Sequence, residues 1–344
     1  MKAARIWGPR DLRVEDIDDA AVSPGEDLVR VTAVGLCGSD LHWFDEGGIG
    51  GATLQRPLIL GHEFAGIIAD TTRVAVDPAV TCGECASCRR GHSNLCERVR
   101  FAGHDVDGAL REWIAWPRRN LHPLPDDLSD ADGAMLEPLG VALHACDLGH
   151  VYRGATVGVF GCGPIGWLAI QVARLAGAAR VFATDLPSRP HRLAAAAALG
   201  ATPVAADGRE ADAIRRATGG SGLDVAIEVA GANDAVDAAV EAARPGARLV
   251  LGGIPAETRT SVVAASARRK GLTLAWARRM KPVYPRAVDL VRRGLVDVRG
   301  CVTHTYRLDE AAAAFAAASR RDGLKVMVEP ARQPPPAAGT AVRA

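Results

Sequence analysis

The chain has 344 residues, 48% of them hydrophobic, and its 41 Lys and Arg against 40 Asp and Glu leave a formal charge of +1. That length exceeds what one hydrophobic core usually fills, so two domains are expected, and the near-neutral balance offers no electrostatic grip on nucleic acid or an anionic membrane. Apolar runs stay short of the roughly 18 residues that span a bilayer, and the N-terminus, with Lys2 and Arg5, lacks an apolar signal core, so a soluble cytoplasmic protein is expected.

Up to about residue 150 the chain reads as short β-rich runs, Leu28–Val34, Leu58–Leu60 and Val74–Val76, punctuated by glycine and proline. This texture predicts a compact barrel-like domain with long functional loops. Cys37 lies in Gly35-Leu36-Cys37-Gly38-Ser39-Asp40-Leu41-His42, His62-Glu63 follows Gly61, and Glu137-Pro138 closes the region. Singly, such a cysteine is usually a small buried hydrophobe. Together, thiolate, imidazole and carboxylate from separated loops, plus one water, make the open four-coordinate zinc site of catalysis, where a substrate hydroxyl loses its proton and gives hydride to a nicotinamide. The freed proton needs a route, which Ser39 can begin and His42 can continue to solvent by way of the cofactor ribose. Asp40 is expected to orient a ligating imidazole. Gly47–Gly51 reads as a flexible rim loop and not a phosphate cradle, since no helix pattern follows it.

Next come Cys82, Cys85, Cys88 and Cys96, in the order C-x2-C-x2-C-x7-C. Four thiolates can enclose one tetrahedral Zn²⁺ with no position left for water, which makes such a site structural. A bacterial iron–sulfur run places its fourth cysteine after three residues and before proline, whereas here seven intervene and Glu97 follows. Disulfide frameworks belong to small secreted chains. Gly83 and Gly91 supply the left-handed backbone that a tight wrap around an ion needs.

Beyond residue 150, short apolar strands (Val157–Phe160, Val181–Thr184, Val225–Glu228, Arg248–Leu251, Leu272–Ala275) alternate with alanine-rich helices such as Trp167–Leu175 and Leu193–Leu199. The alternation predicts an α/β fold with a doubly wound parallel sheet. Gly161-Cys162-Gly163-Pro164-Ile165-Gly166 follows a strand, opens a helix and is answered by Asp185 at the end of the next strand, the context a dinucleotide loop requires. Asp185 would accept from the adenosine ribose hydroxyls and repel a 2′-phosphate, favouring NAD over NADP, although Arg189 or Arg192 could answer a phosphate charge. The alternative is that Asp185 caps the following helix. Ala311–Ala318 reads as a surface helix, and the residues after Pro330, with Pro334–Pro336, as a loose tail.

Together with Gly61-His62-Glu63-Phe64-Ala65-Gly66, Glu137-Pro138-Leu139 and Arg279–Ala287, these stretches resemble the zinc-dependent medium-chain dehydrogenases, most of all their sorbitol (L-iditol) dehydrogenase branch of polyol dehydrogenases. The resemblance reaches to about residue 330. It implies a GroES-like β-barrel catalytic domain with both zinc sites over 1–147, a Rossmann NAD-binding domain over 148–281, and a return to the catalytic domain over 282–330, leaving 331–344 as the tail. It makes Cys37, His62 and Glu63 ligands of the catalytic zinc. Glu137 stands where alcohol dehydrogenase relatives have a third cysteine, either ligating the metal or holding its water. Gly161, Gly163, Ile165, Gly166, Asp185, Arg192 and Ile254 match cofactor-contacting positions. Arg279 matches a substrate-contacting arginine able to hold polyol hydroxyls, the alternative being a solvated charge beside Arg278 and Lys281. Trp43 stands where polyol relatives often have tyrosine and His104 where a small hydroxyl residue is common, and both are expected to line the substrate pocket. The chain is short between Gly66 and Val74 and carries two extra residues within Leu186–His191. The implied activity is reversible, zinc- and NAD-dependent oxidation of a secondary alcohol of a polyol, cyclitol or sugar acid to the ketone. L-threonine 3-dehydrogenase, 2,3-butanediol dehydrogenase and other small-alcohol activities are alternatives. A non-catalytic protein on the same fold is a third reading, against which the intact set Cys37, Ser39, His42, His62 and Glu63 stands. The expected partner is a small-molecule alcohol, with no nucleic acid and no membrane, in a homodimer or homotetramer formed near the edge strand Leu272–Ala275.

Overall fold

Strand Glu26–Gly35 organises the first half of the chain in the computed structural model, which describes residues 1–257 and 259–330. Val29, Val31 and Val34 along it are fully buried while Leu28 is 37% exposed, the alternation a strand shows when one face meets a core. It pairs antiparallel with Glu63–Ile68, with Trp113–Pro117 and with Lys325–Glu329, a segment nearly three hundred residues later in the chain. Leu121–Pro123 and Thr72–Val76 extend the sheet on one side, and Val302–Arg307 on the other. The shortened stretch after Gly66 is a hairpin of Glu63–Ile68 with Thr72–Val76, whose turn holds Ala69 and Asp70 at φ 47° and 62°. Gly47–Gly51, expected as a flexible rim loop, runs into a second small hairpin, Gly48–Ile49 with Ala52–Thr53.

The second half is a six-stranded parallel sheet in the order Thr202–Ala205, Arg180–Asp185, Thr156–Phe160, Leu223–Glu228, Ala243–Leu251, Thr273–Trp276. This is the doubly wound order, and it puts a crevice where the winding reverses, beside the end of Thr156–Phe160. Val157, Val159 and Phe160 are each fully buried, because helices cover both faces of the sheet and leave no polar alternation in the strand.

Helix Leu136–Gly149 joins the halves. Eleven of its fourteen residues are buried, it packs along helix Pro164–Leu175, and Leu136, Leu139 and Leu143 enter a core shared with Val157 and Val225. Tyr284, 2% exposed at the start of helix Tyr284–Arg292, donates its hydroxyl to the Val76 carbonyl at 2.8 Å and so ties the returning chain to the first sheet. Helix Ala311–Arg320 buries Ala311, Ala314, Phe315 and Ala317, with Phe315 on Phe44 at 5.0 Å between ring centres. Burying that ring contributes about 2–3 kcal/mol. The helix is therefore packed along one face and open along the other. Among the described residues no helix is long and apolar enough to cross a membrane. The loose tail expected at 331–344 lies outside the described residues.

Candidate active site and cofactor cleft

The register of Glu26–Gly35 against Glu63–Ile68 sets Gly35 opposite Glu63, which brings the chain just beyond each strand to the same end of the sheet. Cys37 caps helix Gly38–Glu46 there, and ligand atoms of Cys37, His62 and Glu63 all lie within 4.8 Å of one another. Asp40, wholly buried, holds this arrangement. Its carboxylate accepts from Cys37 N at 2.9 Å and Gly61 N at 3.3 Å, and faces His62 Nδ1 at 3.3 Å. Burial alone would raise the Asp40 carboxyl, but His62 and the two backbone donors outweigh it and hold it below its usual value. With Nδ1 turned to Asp40, His62 presents Nε2 to the other side, where Ser39 Oγ lies at 3.4 Å. One cysteine sulfur, one imidazole nitrogen and one carboxylate oxygen within reach of one another fit the donor set of a catalytic zinc ion.

Two groups around this cluster escaped the sequence reading. Lys325, 2% exposed on the returning strand, donates Nζ to Leu36 O at 3.0 Å and to both oxygens of Glu63, the first at 2.8 Å. A buried lysine requires such a partner, and its one visible signal was a charge inside the apolar run Leu324–Val328. Phe101 sets its ring 5.2 Å from the His62 ring and carries the Arg279 guanidinium at 5.2 Å on its face.

Glu137, 5% exposed at the start of helix Leu136–Gly149, falls outside the Cys37–His62–Glu63 set. Burial and the charge of Glu63, against His62 and Lys325, push its carboxyl up to about 7. It lines a cavity of about 190 Å³ together with Asp77, Phe101, His122, Arg279 and Tyr284. Arg279 is half-buried there rather than solvated, on left-handed backbone at φ 52°, with Nη2 donating to Asn94 O at 3.3 Å and Nε without a partner among the described residues. Trp43 is placed elsewhere: 4% exposed in the barrel core, it meets the exposed His104 edge-on at 5.5 Å, and His104 pairs with Asp105 at 3.1 Å. Neither residue lines that cavity.

The cysteine lobe is a different construction. Cys82 Sγ lies 3.5 Å from Cys96 Sγ and 4.0 Å from Cys88 Sγ, close to the ~3.8 Å edge of a tetrahedron with Zn–S bonds of about 2.3 Å. Gly83 and Gly91 sit at φ 75° and 76° in the wrapping loop, and all eight cysteines of the chain are free thiols. Backbone N–H groups of Glu84 and Cys85 push the Cys82 thiol down to about 6, favouring the thiolate that binds metal. These donors fit a closed zinc site.

A cavity of about 810 Å³ runs from Cys37, Ser39 and His42 at one end to Asp185 at the other, past Gly161, Gly163 and Ile165. Gly161, at φ 102° against the Ala230 backbone, turns the chain into helix Pro164–Leu175, whose first residues, Pro164 and Ile165, line the cavity. Asp185 accepts from Cys162 N at 2.9 Å and Leu186 N at 2.8 Å. Arg192 Nη1 stands 3.9 Å from it, and Arg192 is 5% exposed, while Arg189 is half-buried one turn earlier. Ile254 lines the cavity with 48% of its surface exposed. His42, in the same wall, contacts Glu46 through Nδ1 at 2.9 Å.

Residues 23–126 match the profile of the alcohol dehydrogenase GroES-like domain, and residues 164–293 that of the zinc-binding dehydrogenases. The chain is 36% identical to sorbitol dehydrogenase of Bacillus subtilis, an alignment covering 96% of this chain and 98% of that protein. It belongs to the zinc-dependent medium-chain dehydrogenases, in their polyol dehydrogenase branch. L-idonate 5-dehydrogenase of Vitis vinifera is 31% identical across 94% of this chain and 93% of that one. The crystal structure of an alcohol dehydrogenase from Escherichia coli CFT073 complexed with NADH superposes with a TM-score of 0.87 at 28% identity, covering 96% of this chain and 99% of that chain. As a member of this family the chain is an alcohol-oxidising dehydrogenase that uses zinc and NAD(H).

Proposed function

We propose that this dehydrogenase oxidises a secondary alcohol of a polyol, cyclitol or sugar acid to the ketone with NAD⁺. The observation that carries the reading is the small cavity beside the Cys37–His62–Glu63 cluster. Arg279 offers a cationic donor fork over Phe101, and Glu137 and Asp77 offer acceptors, so the space suits a short chain of hydroxyls and not a long alkyl group. Zinc held by Cys37, His62 and Glu63 supplies a Lewis acid for the substrate oxygen. Glu137, with a carboxyl near neutrality, holds a water or proton beside that oxygen. Ser39 would take the hydroxyl proton while passing on its own, and His42, in the same cavity wall and braced by Glu46, would release a proton to solvent. Gly161, Gly163, Gly166, Ile165, Asp185, Arg192 and Ile254 hold the cofactor, so residues 148–281 serve NAD and lend Arg279 to the substrate, while 1–147 and 282–330 supply the metal donors and the rest of the substrate space.

The decisive experiment follows NADH formation with a panel of polyols, cyclitols, sugar acids, threonine and small diols, with and without chelator. Chelator-sensitive turnover of a polyol or sugar acid supports the reading; preference for threonine or 2,3-butanediol overturns it. We further propose a cytoplasmic homodimer or homotetramer. Free thiols throughout suit a reducing compartment. Strand Thr273–Trp276 ends the parallel sheet, and Trp276, its last residue, is 64% exposed, an edge that a second copy would cover. Light scattering that finds a monomer at micromolar concentration removes the assembly.

A further inference from the structure

Arg321 follows helix Ala311–Arg320 on left-handed backbone, φ 60° and ψ 35°, where glycine would rest without strain. Its half-buried side chain lines the large cavity together with Cys37, Gly163 and Asp185. Among the described residues it makes no ion pair or side-chain hydrogen bond, although its neighbour Arg320 pairs with Asp322 at 2.8 Å. Asp45, an acid it faces from the adjoining helix, already meets Arg10 at 2.9 Å and Ser319 Oγ at 2.8 Å. A desolvated guanidinium with no counter-ion is costly unless a ligand supplies one. Burial and the charge of Arg189 hold its pKa below the usual value, and Arg321 acts in the same sense on Arg192, so three like charges crowd one wall.

Two ties fix where along the cavity Arg321 stands. Phe315 on Phe44 and Ser319 on Asp45 dock its helix against the helix that Cys37 caps. Arg192 Nη2 donates to Gly323 O at 3.3 Å and holds the following turn against the glycine loop. Arg192 itself belongs to the Asp185 end, with Nη1 facing Gly163. A dinucleotide laid from Asp185 over the helix N-terminus to Cys37 would bring two phosphates, and Arg192, held against Asp185, would stand nearer the adenosine one. Lys325, the other cation of the returning chain at this end, is occupied by Glu63.

We propose that Arg321 holds the nicotinamide-side phosphate of the bound dinucleotide, closing the cleft from the barrel side. The inference rests on the cofactor, not on the substrate reading, and is measured without substrate. Zinc-loaded wild type, Arg321→Gly and Arg321→Lys are titrated with NADH, NADP, ADP, AMP and 2′,5′-ADP by fluorescence and calorimetry; glycine suits the left-handed backbone, so folding is retained. Loss of one charged hydrogen-bond partner should weaken NADH and ADP by about ten- to a hundredfold in Arg321→Gly, leave AMP within about twofold, and be partly restored by lysine. Unchanged NADH and ADP affinities overturn the assignment. Equal losses for AMP and ADP overturn it too, by moving the arginine to the adenosine end. A loss confined to 2′,5′-ADP and NADP would place it at a ribose phosphate instead.

Discussion

The two cysteine-bearing clusters of this dehydrogenase are built in opposite ways. The lobe draws every donor from Cys82–Cys96, a single loop braced by its own N–H···S contacts, with three of its four cysteines half open to solvent. The cluster at Cys37 takes donors from the ends of two paired strands, an orienting carboxylate from Asp40, a neighbouring acid from Glu137 on a helix, and a counter-ion from Lys325 on the last strand. A local site needs only its loop, whereas the second exists because the chain returns. The lobe should therefore fail or survive alone, while the other cluster should answer to residues far away.

The sharpest break is Cys37→Ser. It should abolish turnover, lower the metal count from two zincs per chain to one and leave NADH binding in place; retained turnover would sink the assignment of Cys37. Cys96→Ala is the mirror experiment. One zinc should leave and the other stay, with a stability loss on the order of several kcal/mol, and departure of both metals would show that the sites are not independent. Lys325→Met in zinc-free protein tests the long-range dependence, because with no metal beside it Glu63 is left as a buried charge without its partner. Denaturant unfolding should register about 3–5 kcal/mol, and a cost below about 1 kcal/mol would mean the pair does not support the cluster.

The smallest effect comes from a distant contact outside both clusters. Asp132, with no exposed side-chain surface, caps its helix by a box with Ser129 and meets Arg299 Nη2 at 2.6 Å. Burial opposes its ionisation, but Arg299 and Ser129 prevail and hold the carboxyl below its usual value. A depressed carboxylate stabilises fully above the unfolded pKa of about 3.9 and loses that contribution as pH falls through the folded value. Asp132→Asn should therefore cost about 1–2 kcal/mol at neutral pH, and the gap from wild type should close in acid. A gap that stays constant from neutral to strongly acidic pH would show that the ion pair contributes nothing.

Much of this was legible from local pattern. The lobe spacing, the glycine loop answered by Asp185 and the alternating strands and helices are short-range signals, because metal geometry, phosphate approach and sheet winding each constrain residues close in sequence. Trp43 shows the limit. A motif position placed it in the substrate pocket, yet its side chain turns into the barrel core, and sequence neighbours do not say which way a helical side chain faces when both directions are apolar. Phe101 carried no signal, since its role depends on His62 and Arg279 converging from other loops.

Donor chemistry, the order of the parts and the winding of the sheet all follow from residue types at short spacing. Only the tertiary structure decided which charges meet. Lys325 finds Glu63, Arg192 finds Asp185 and Gly323, and Arg279 finds Phe101, in each case because strand pairing and helix docking bring together groups separated by many residues. Buried charge is tolerated only where a partner arrives, and that partner is chosen by the fold, not by the neighbouring sequence.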